Sequence, residues 1–173
     1  MSSRLKLALI GAVCAAPLVL GTLAYWFGWG TGSPGNYGEL IGPRALSGSQ
    51  IVALRGKWVL VTIDAPACDA PCERKLYFMR QMRRATGKNQ ERVERLWLLT
   101  DPRSPSAKLL AAIEGTHIVR ADAALLRSFP GTPSEHIYVV DPLGNLMMRY
   151  PRDPDPSRML KDIKRLLKVS GVG

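Results

Sequence analysis

Residues 57–63, Lys-Trp-Val-Leu-Val-Thr-Ile, form a continuous apolar, β-branched run. It is followed closely by Cys68-Asp69-Ala70-Pro71-Cys72 and then by a helical pattern over residues 73–85. An apolar run without polar alternation reads as a strand covered on both faces, the position of a central strand in an α/β sheet. Leu76, Phe78, Met79, Met82 and Ala85 recur at spacings that share one helix face, with Arg74, Lys75, Arg80, Arg83 and Arg84 mostly opposite, and Gly87 ends the pattern. Pro71 suits a first helical turn, where its missing N–H is not needed. Asp69 or Ala70 is the cap, and Asp is the better capping type. The two cysteines therefore lie where a strand hands over to a helix.

That position has chemical consequences. A thiol at a helix start feels unpaired backbone N–H groups and the positive end of the helix dipole, both of which favour thiolate. Thiolate attacks disulfides and binds soft ions such as copper(I). A separation of four lets both sulfurs face one side of the turn. A structural disulfide and two unrelated thiols are the bland alternatives.

Residues 1–6 are short and basic, and residues 7–27 carry no charge. As a helix, this run is long enough to cross a bilayer core of roughly 30 Å. Tyr25, Trp26 and Trp29 gather at its far end, where aromatic residues settle at an interface. Arg4 and Lys6 place the start of the chain in the cytoplasm and the remainder across the membrane. The competing reading is a cleaved signal peptide, with Thr22-Leu23-Ala24 as the small-residue site, but the apolar run is long for one. Cys14 lies inside the run and reads as a plain membrane-embedded thiol. Residues 28–48, rich in Gly, Ser and Pro, are expected to be a flexible linker, with the globular domain over residues 49–173.

Within that domain, residues 93–100 hold a second buried strand around Leu96-Trp97-Leu98-Leu99. Residues 101–105 turn into a short helix reaching Ile113. Residues 116–120 form a short strand and residues 121–128 a short helix. Residues 136–141 are a third strong strand, the Pro142-Leu143-Gly144-Asn145 turn leads to a returning strand over residues 146–150, and residues 156–169 are an amphipathic helix. Parallel βαβ followed by antiparallel ββα, with a cysteine pair after the first strong strand, predicts an α/β thioredoxin-like fold with a central mixed sheet flanked by helices.

The net charge is +10, and the part after the anchor carries 22 basic against 14 acidic residues, a net +8. Such a surface suits an anionic partner. The basic residues form no single block and no nucleic-acid motif accompanies them, so nucleic acid is not an expected partner.

The motifs together resemble the Sco/SenC family of membrane-anchored, thioredoxin-fold cytochrome c oxidase assembly proteins. The likeness spans about residues 50–168. It rests on the anchor, on the Cys-x-x-x-Cys pair Cys68 and Cys72 after the strand, on Thr100-Asp101-Pro102-Arg103-Ser104-Pro105, and on Tyr138-Val139-Val140-Asp141-Pro142-Leu143-Gly144-Asn145. The resemblance implies copper(I) held by Cys68, Cys72 and a histidine, and delivery to, or thiol reduction at, a cytochrome c oxidase subunit. It also implies a single-pass protein of a bacterial inner membrane with its domain in the periplasm. Three positions depart from the family pattern. Glu73 replaces a proline, the segment after the second strand is short, and Pro133 stands where the family has its histidine. The nearby histidine is His136, a candidate replacement ligand; His117 is far from the motif. Thr132-Pro133 is in turn similar to the cis-proline element that faces the cysteine pair in thioredoxin-fold oxidoreductases.

Three classes of function follow. One is a copper(I)-binding assembly factor. The second is a metal-independent thiol–disulfide oxidoreductase acting on another periplasmic thiol protein. The third is a scaffold in which the pair is a stable disulfide. An exocytoplasmic compartment permits all three. A thiol peroxidase is more remote, because Ala65-Pro66-Ala67 offers no hydroxyl ahead of the cysteine.

Overall fold

The computed structural model describes residues 2–27 and 35–171. It divides into two units, residues 1–35 and 36–173. Among the described residues of the first lies one helix, α1 (Ser3–Trp26), with Pro17 inside it. Its Ser3–Ala24 stretch has a mean hydropathy of 2.2 and none of it is buried, so it is long and apolar enough to cross a membrane. At 1.5 Å per residue the 24 residues of α1 span about 36 Å. The Thr22 hydroxyl donates to the carbonyls of Leu18 and Val19 (3.0 and 2.9 Å), which satisfies a polar group within an apolar helix.

The second unit runs β1 (Glu39–Ala45), α2 (Ser49–Ala53), β2 (Trp58–Asp64), α3 (Ala70–Ala85), a 3-10 turn (Gly87–Arg92), β3 (Val93–Leu99), α4 (Ala107–Ala112), β4 (His117–Arg120), α5 (Ala123–Arg127), a 3-10 turn (Pro133–Glu135), β5 (His136–Val140), β6 (Asn145–Pro151) and α6 (Pro156–Val169). The sheet order is β1-β6-β5-β2-β3-β4. Strands β2, β3 and β4 are parallel, and β5, β6 and β1 add antiparallel neighbours. This is the mixed, helix-flanked sheet the sequence predicts.

Every residue of β2 is buried, as its apolar run requires. Its alternation divides the core. Val59, Val61 and Ile63 pack with Ile51, Leu125 and Phe129 on one face, whereas Trp58 and Leu60 pack with Met79, Met82, Ile163 and Leu167 on the other. Burying side chains of this size contributes roughly 1.5–3 kcal/mol each. The central strand is thus held from both sides, and its C-terminal end carries the cysteine loop to a fixed place.

The linker expected over residues 28–48 needs correction. Residues 28–34 lie outside the described residues, but Glu39–Ala45 is a strand paired with β6. Its pairing register shifts between Leu40 and Arg44, bracketing Gly42 and Pro43, and most of its residues are exposed. An irregular edge strand of this kind needs neither alternation nor strong β-formers, which is why its composition reads as a loop. The strand is pinned by the bidentate pair of Arg149 with Glu39 (both contacts 2.8 Å).

Candidate thiol–disulfide site

The site begins at the C-terminal end of β2. Asp69 caps α3 with extended backbone, and its carboxylate accepts from the Cys72 amide at 3.0 Å. Of the two cap candidates read from the sequence, the acidic one holds the role. Pro71 sits in the first turn, as its chemistry demands. Cys68 has φ of +32°, the one positive value outside glycine among the described residues. A left-handed non-glycine residue costs about 1–3 kcal/mol and persists only where its surroundings over-determine it. Here the capped helix on one side and the Cys68 amide donating to the Ala65 carbonyl (3.0 Å) on the other hold the loop.

Cys68 and Cys72 are joined in a disulfide with Cα atoms 5.2 Å apart, inside the range such a bond requires. Cys72 is 1% exposed and Cys68 8%, so Cys68 presents the more accessible sulfur. Both line a cleft of about 500 Å³ whose wall also holds Asp64, Thr100, Pro133 and Ser134. Leu76, Trp97, Leu99 and Ile113 pack behind the pair.

A charged pair lies alongside. Lys75, wholly buried, places Nζ 2.7 and 3.0 Å from the two carboxylate oxygens of Asp64, and also donates to the Ser134 carbonyl. The Thr62 hydroxyl donates to the same carboxylate at 2.8 Å. Burial raises the Asp64 carboxyl above its ordinary range; Lys75 and Thr62 pull it down and Asp69 adds a smaller upward push. Sequence reasoning passed over this pair and placed Lys75 among the cations opposite the apolar face. The available signal was its spacing: residues 72, 75, 79 and 82 form the buried stripe of α3. Through Ser134, Lys75 ties the Cys72 helix to the 133–135 turn across the cleft.

The remaining candidates are placed as follows. Pro133 lines the cleft, but no cis peptide bond occurs among the described residues, so the Thr132–Pro133 bond is trans. Pro133 opens a 3-10 turn, a position that its fixed φ suits without isomerisation. His136 Nδ1 lies 3.0 Å from the Thr132 carbonyl and its ring 5.7 Å from that of Tyr138. It is not part of the cleft wall. Among the described residues no cluster of three or more His, Cys, Asp and Glu side chains is arranged to hold a metal ion. The structure thus joins the two cysteines and Pro133 and leaves His136 apart. His117 faces Glu94 at 3.5 Å on the far edge of the sheet.

The same fold occurs in solved structures. Yeast Sco1 aligns with a TM-score of 0.56 at 18% identity, over 75% of this chain and 98% of that one. Bradyrhizobium japonicum ScoI, a copper-bound structure, gives 0.53 at 20% identity, over 73% and 99%. BsSco, described as carrying a disulfide switch and as a member of the Sco family of cytochrome c oxidase assembly proteins, gives 0.50 at 12% identity, over 78% and 97%. No curated protein matches by sequence. The family model described as "transmembrane-like, thioredoxin-like, C-terminal domain" matches residues 58–170, from the first residue of β2 to just past α6. With the fold and the cysteine loop in agreement with that match, the chain belongs to this family of transmembrane-like, thioredoxin-like C-terminal domains.

Proposed function

We propose that this chain is a Sco/SenC-like protein, anchored by α1 in a bacterial inner membrane with its domain in the periplasm, that assists cytochrome c oxidase biogenesis through Cys68 and Cys72. The observation that carries the reading is the Cys68–Cys72 disulfide in the cleft wall at the capped start of α3. Copper-bound Sco proteins share the fold. In thiol exchange, a thiolate of a dithiol partner attacks the more accessible Cys68 sulfur, the S–S bond breaks, and Cys72 leaves as thiolate at the helix start and takes up a proton. The partner's second thiolate then attacks the mixed disulfide and releases Cys68. The partner is oxidised to a disulfide and this chain reduced to two thiols.

Reduction also creates two soft donors at one edge of the cleft. Two thiolates suit copper(I) as cargo, and the pair is close enough for both to reach one ion. His136 has no part in the wall that holds them, which supports a site carried by the cysteines. The second reading, a metal-independent oxidoreductase, is favoured by the missing third donor among the described residues.

The discriminating experiment takes the full chain in uncharged detergent, reduces it, and titrates copper(I) against a competing chelator. The redox potential of the pair is measured on the same sample. We expect Cys68→Ser and Cys72→Ser each to abolish tight binding and His136→Ala to weaken it far less. Complete loss in His136→Ala would show that the histidine moves to the sulfurs. A reversible potential without copper(I) binding transfers the function to the oxidoreductase reading. A pair that neither binds copper nor exchanges with a dithiol is a structural disulfide.

A further inference from the structure

A second site lies away from the cysteines, between the C-terminal half of α3 and β3. The strand alternates Val93, Arg95, Trp97 and Leu99 on its α3 face, so Arg95 occupies an inward position where an apolar residue is expected. It is 4% exposed. Its Nη2 donates to the Glu114 carbonyl at 2.7 Å, but Nε and Nη1 are buried and have no hydrogen-bond partner among the described residues. A buried guanidinium with unpaired donors is costly, several times more so than a neutral polar group.

Arg95 forms part of the wall of a cavity of about 190 Å³ shared with Arg80, Arg83, Arg84, Gln90 and Glu114. Arg80 Nη1 donates to the Ala112 carbonyl at 2.9 Å and Arg83 Nε to the Val93 carbonyl at 2.7 Å. Main-chain carbonyls orient these guanidinium groups without neutralising them. Arg84 is exposed and forms no hydrogen bond or ion pair among the described residues. The carboxylates at hand are few. Glu94 is 3.8 Å from Arg83 and shared with His117, and the Glu114 carboxylate is exposed and unpaired among the described residues. Four cations therefore meet two carboxylates.

We propose that Arg80, Arg83, Arg84 and Arg95 form a binding site for a phosphate-type oxyanion. Guanidinium groups present paired N–H donors that match such an anion's oxygens. The anion would offset the repulsion among the four cations, Arg95 among them in the same wall. The volume suits a small oxyanion with a few waters of ~30 Å³ each, and is below the roughly 300–1,000 Å³ of pockets for larger organic ligands. Inorganic phosphate and the phosphate of an anionic lipid headgroup share this chemistry.

The test uses the full chain in uncharged maltoside micelles. One arm adds sodium phosphate against sodium chloride at matched ionic strength. The other dopes phosphatidylglycerol into the same micelles. Thermal midpoint and titration calorimetry are read for wild type, Arg84→Gln, Arg95→Met and Glu114→Gln. We expect a phosphate-dependent rise in the midpoint, binding weakened about tenfold by Arg84→Gln, in keeping with loss of one charge-assisted contact, and tightened by Glu114→Gln. Arg95→Met should lose the response. If it fails to fold, Arg84→Gln, at an exposed position, decides. A response to phosphatidylglycerol alone that Arg84→Gln removes supports the site and assigns the headgroup as its source. A response to inorganic phosphate alone assigns the free ion. No response beyond chloride in either arm, or one that Arg84→Gln leaves unchanged, overturns the proposal.

Discussion

Asp64 and Lys75 set the balance of forces beside the cysteine pair. Burial is the largest influence on Asp64 and outweighs its ion pair, so the folded chain keeps this proton to higher pH than the unfolded chain does. The group's contribution to stability is therefore complete below about pH 4, the ordinary range of an aspartate, and is lost as pH rises through the raised value. We expect Asp64→Asn to flatten this part of the stability–pH curve, measured as the urea midpoint from pH 3 upward. An unchanged slope would mean that Asp64 titrates normally. At neutral pH, Lys75→Met should cost about 3–5 kcal/mol, because it leaves the Asp64 carboxylate buried without its cation. Asp64→Leu combined with Lys75→Met should cost much less than the sum of the two single changes. Additive costs would show that the two residues do not act as a pair.

At the scale of elements, the segment ahead of β1 is tied to α6 by the Asp162 carboxylate, by Arg158 over the Tyr37 ring and by the Asp155 amide donating to the Tyr37 hydroxyl. Asp162 accepts from the Tyr37 and Gly38 amides, both at 2.8 Å, and from the Tyr150 hydroxyl at 3.4 Å. Burial and this neighbouring carboxylate push the Tyr150 phenol far up. Gly38 is required by close approach: a Cβ there would lie 2.5 Å from Met148 Sδ and 2.7 Å from Tyr150 Cε1. We expect Asp162→Ala to destabilise the domain by roughly 2–4 kcal/mol, because it strands two main-chain donors. Hydrogen exchange in residues 37–45 should rise with it. A change confined to α6 would show that β1 is held by β6 alone. The Asp141 turn is the contrasting case. It was legible in advance, because Asp141 accepts from Leu143 and Asn145 amides two and four residues away (2.9 and 2.8 Å) and Gly144 takes φ of +91°. Local contacts of that kind leave a sequence signature.

For the whole molecule, the proposed arrangement is one membrane span, residues 7–27, with the domain on the periplasmic side. We expect protease added to spheroplasts to digest the domain and leave a membrane-bound stub that contains α1. A soluble mature protein starting near Tyr25 would replace the anchor with a cleaved leader.

The strand–cysteine–helix order, the capped helix start, the parallel βαβ and the antiparallel hairpin were legible in sequence. Each depends on periodicity and on contacts a few residues apart. So was the closeness of Cys68 and Cys72, four residues apart across the capped start of α3. Tertiary structure alone decided the rest. The edge strand β1 exists through pairing with residues about a hundred positions away, so its own composition carries no mark of it. The trans Pro133, the place of His136 outside the cleft wall and the Lys75–Ser134 tie depend on where the 130–136 loop lands against α3. Arg95 carries no local mark of its burial; only β3 placed beneath α3 makes it a buried, half-partnered guanidinium. Local chemistry selects elements, whereas burial of a charge depends on what the rest of the chain packs above it.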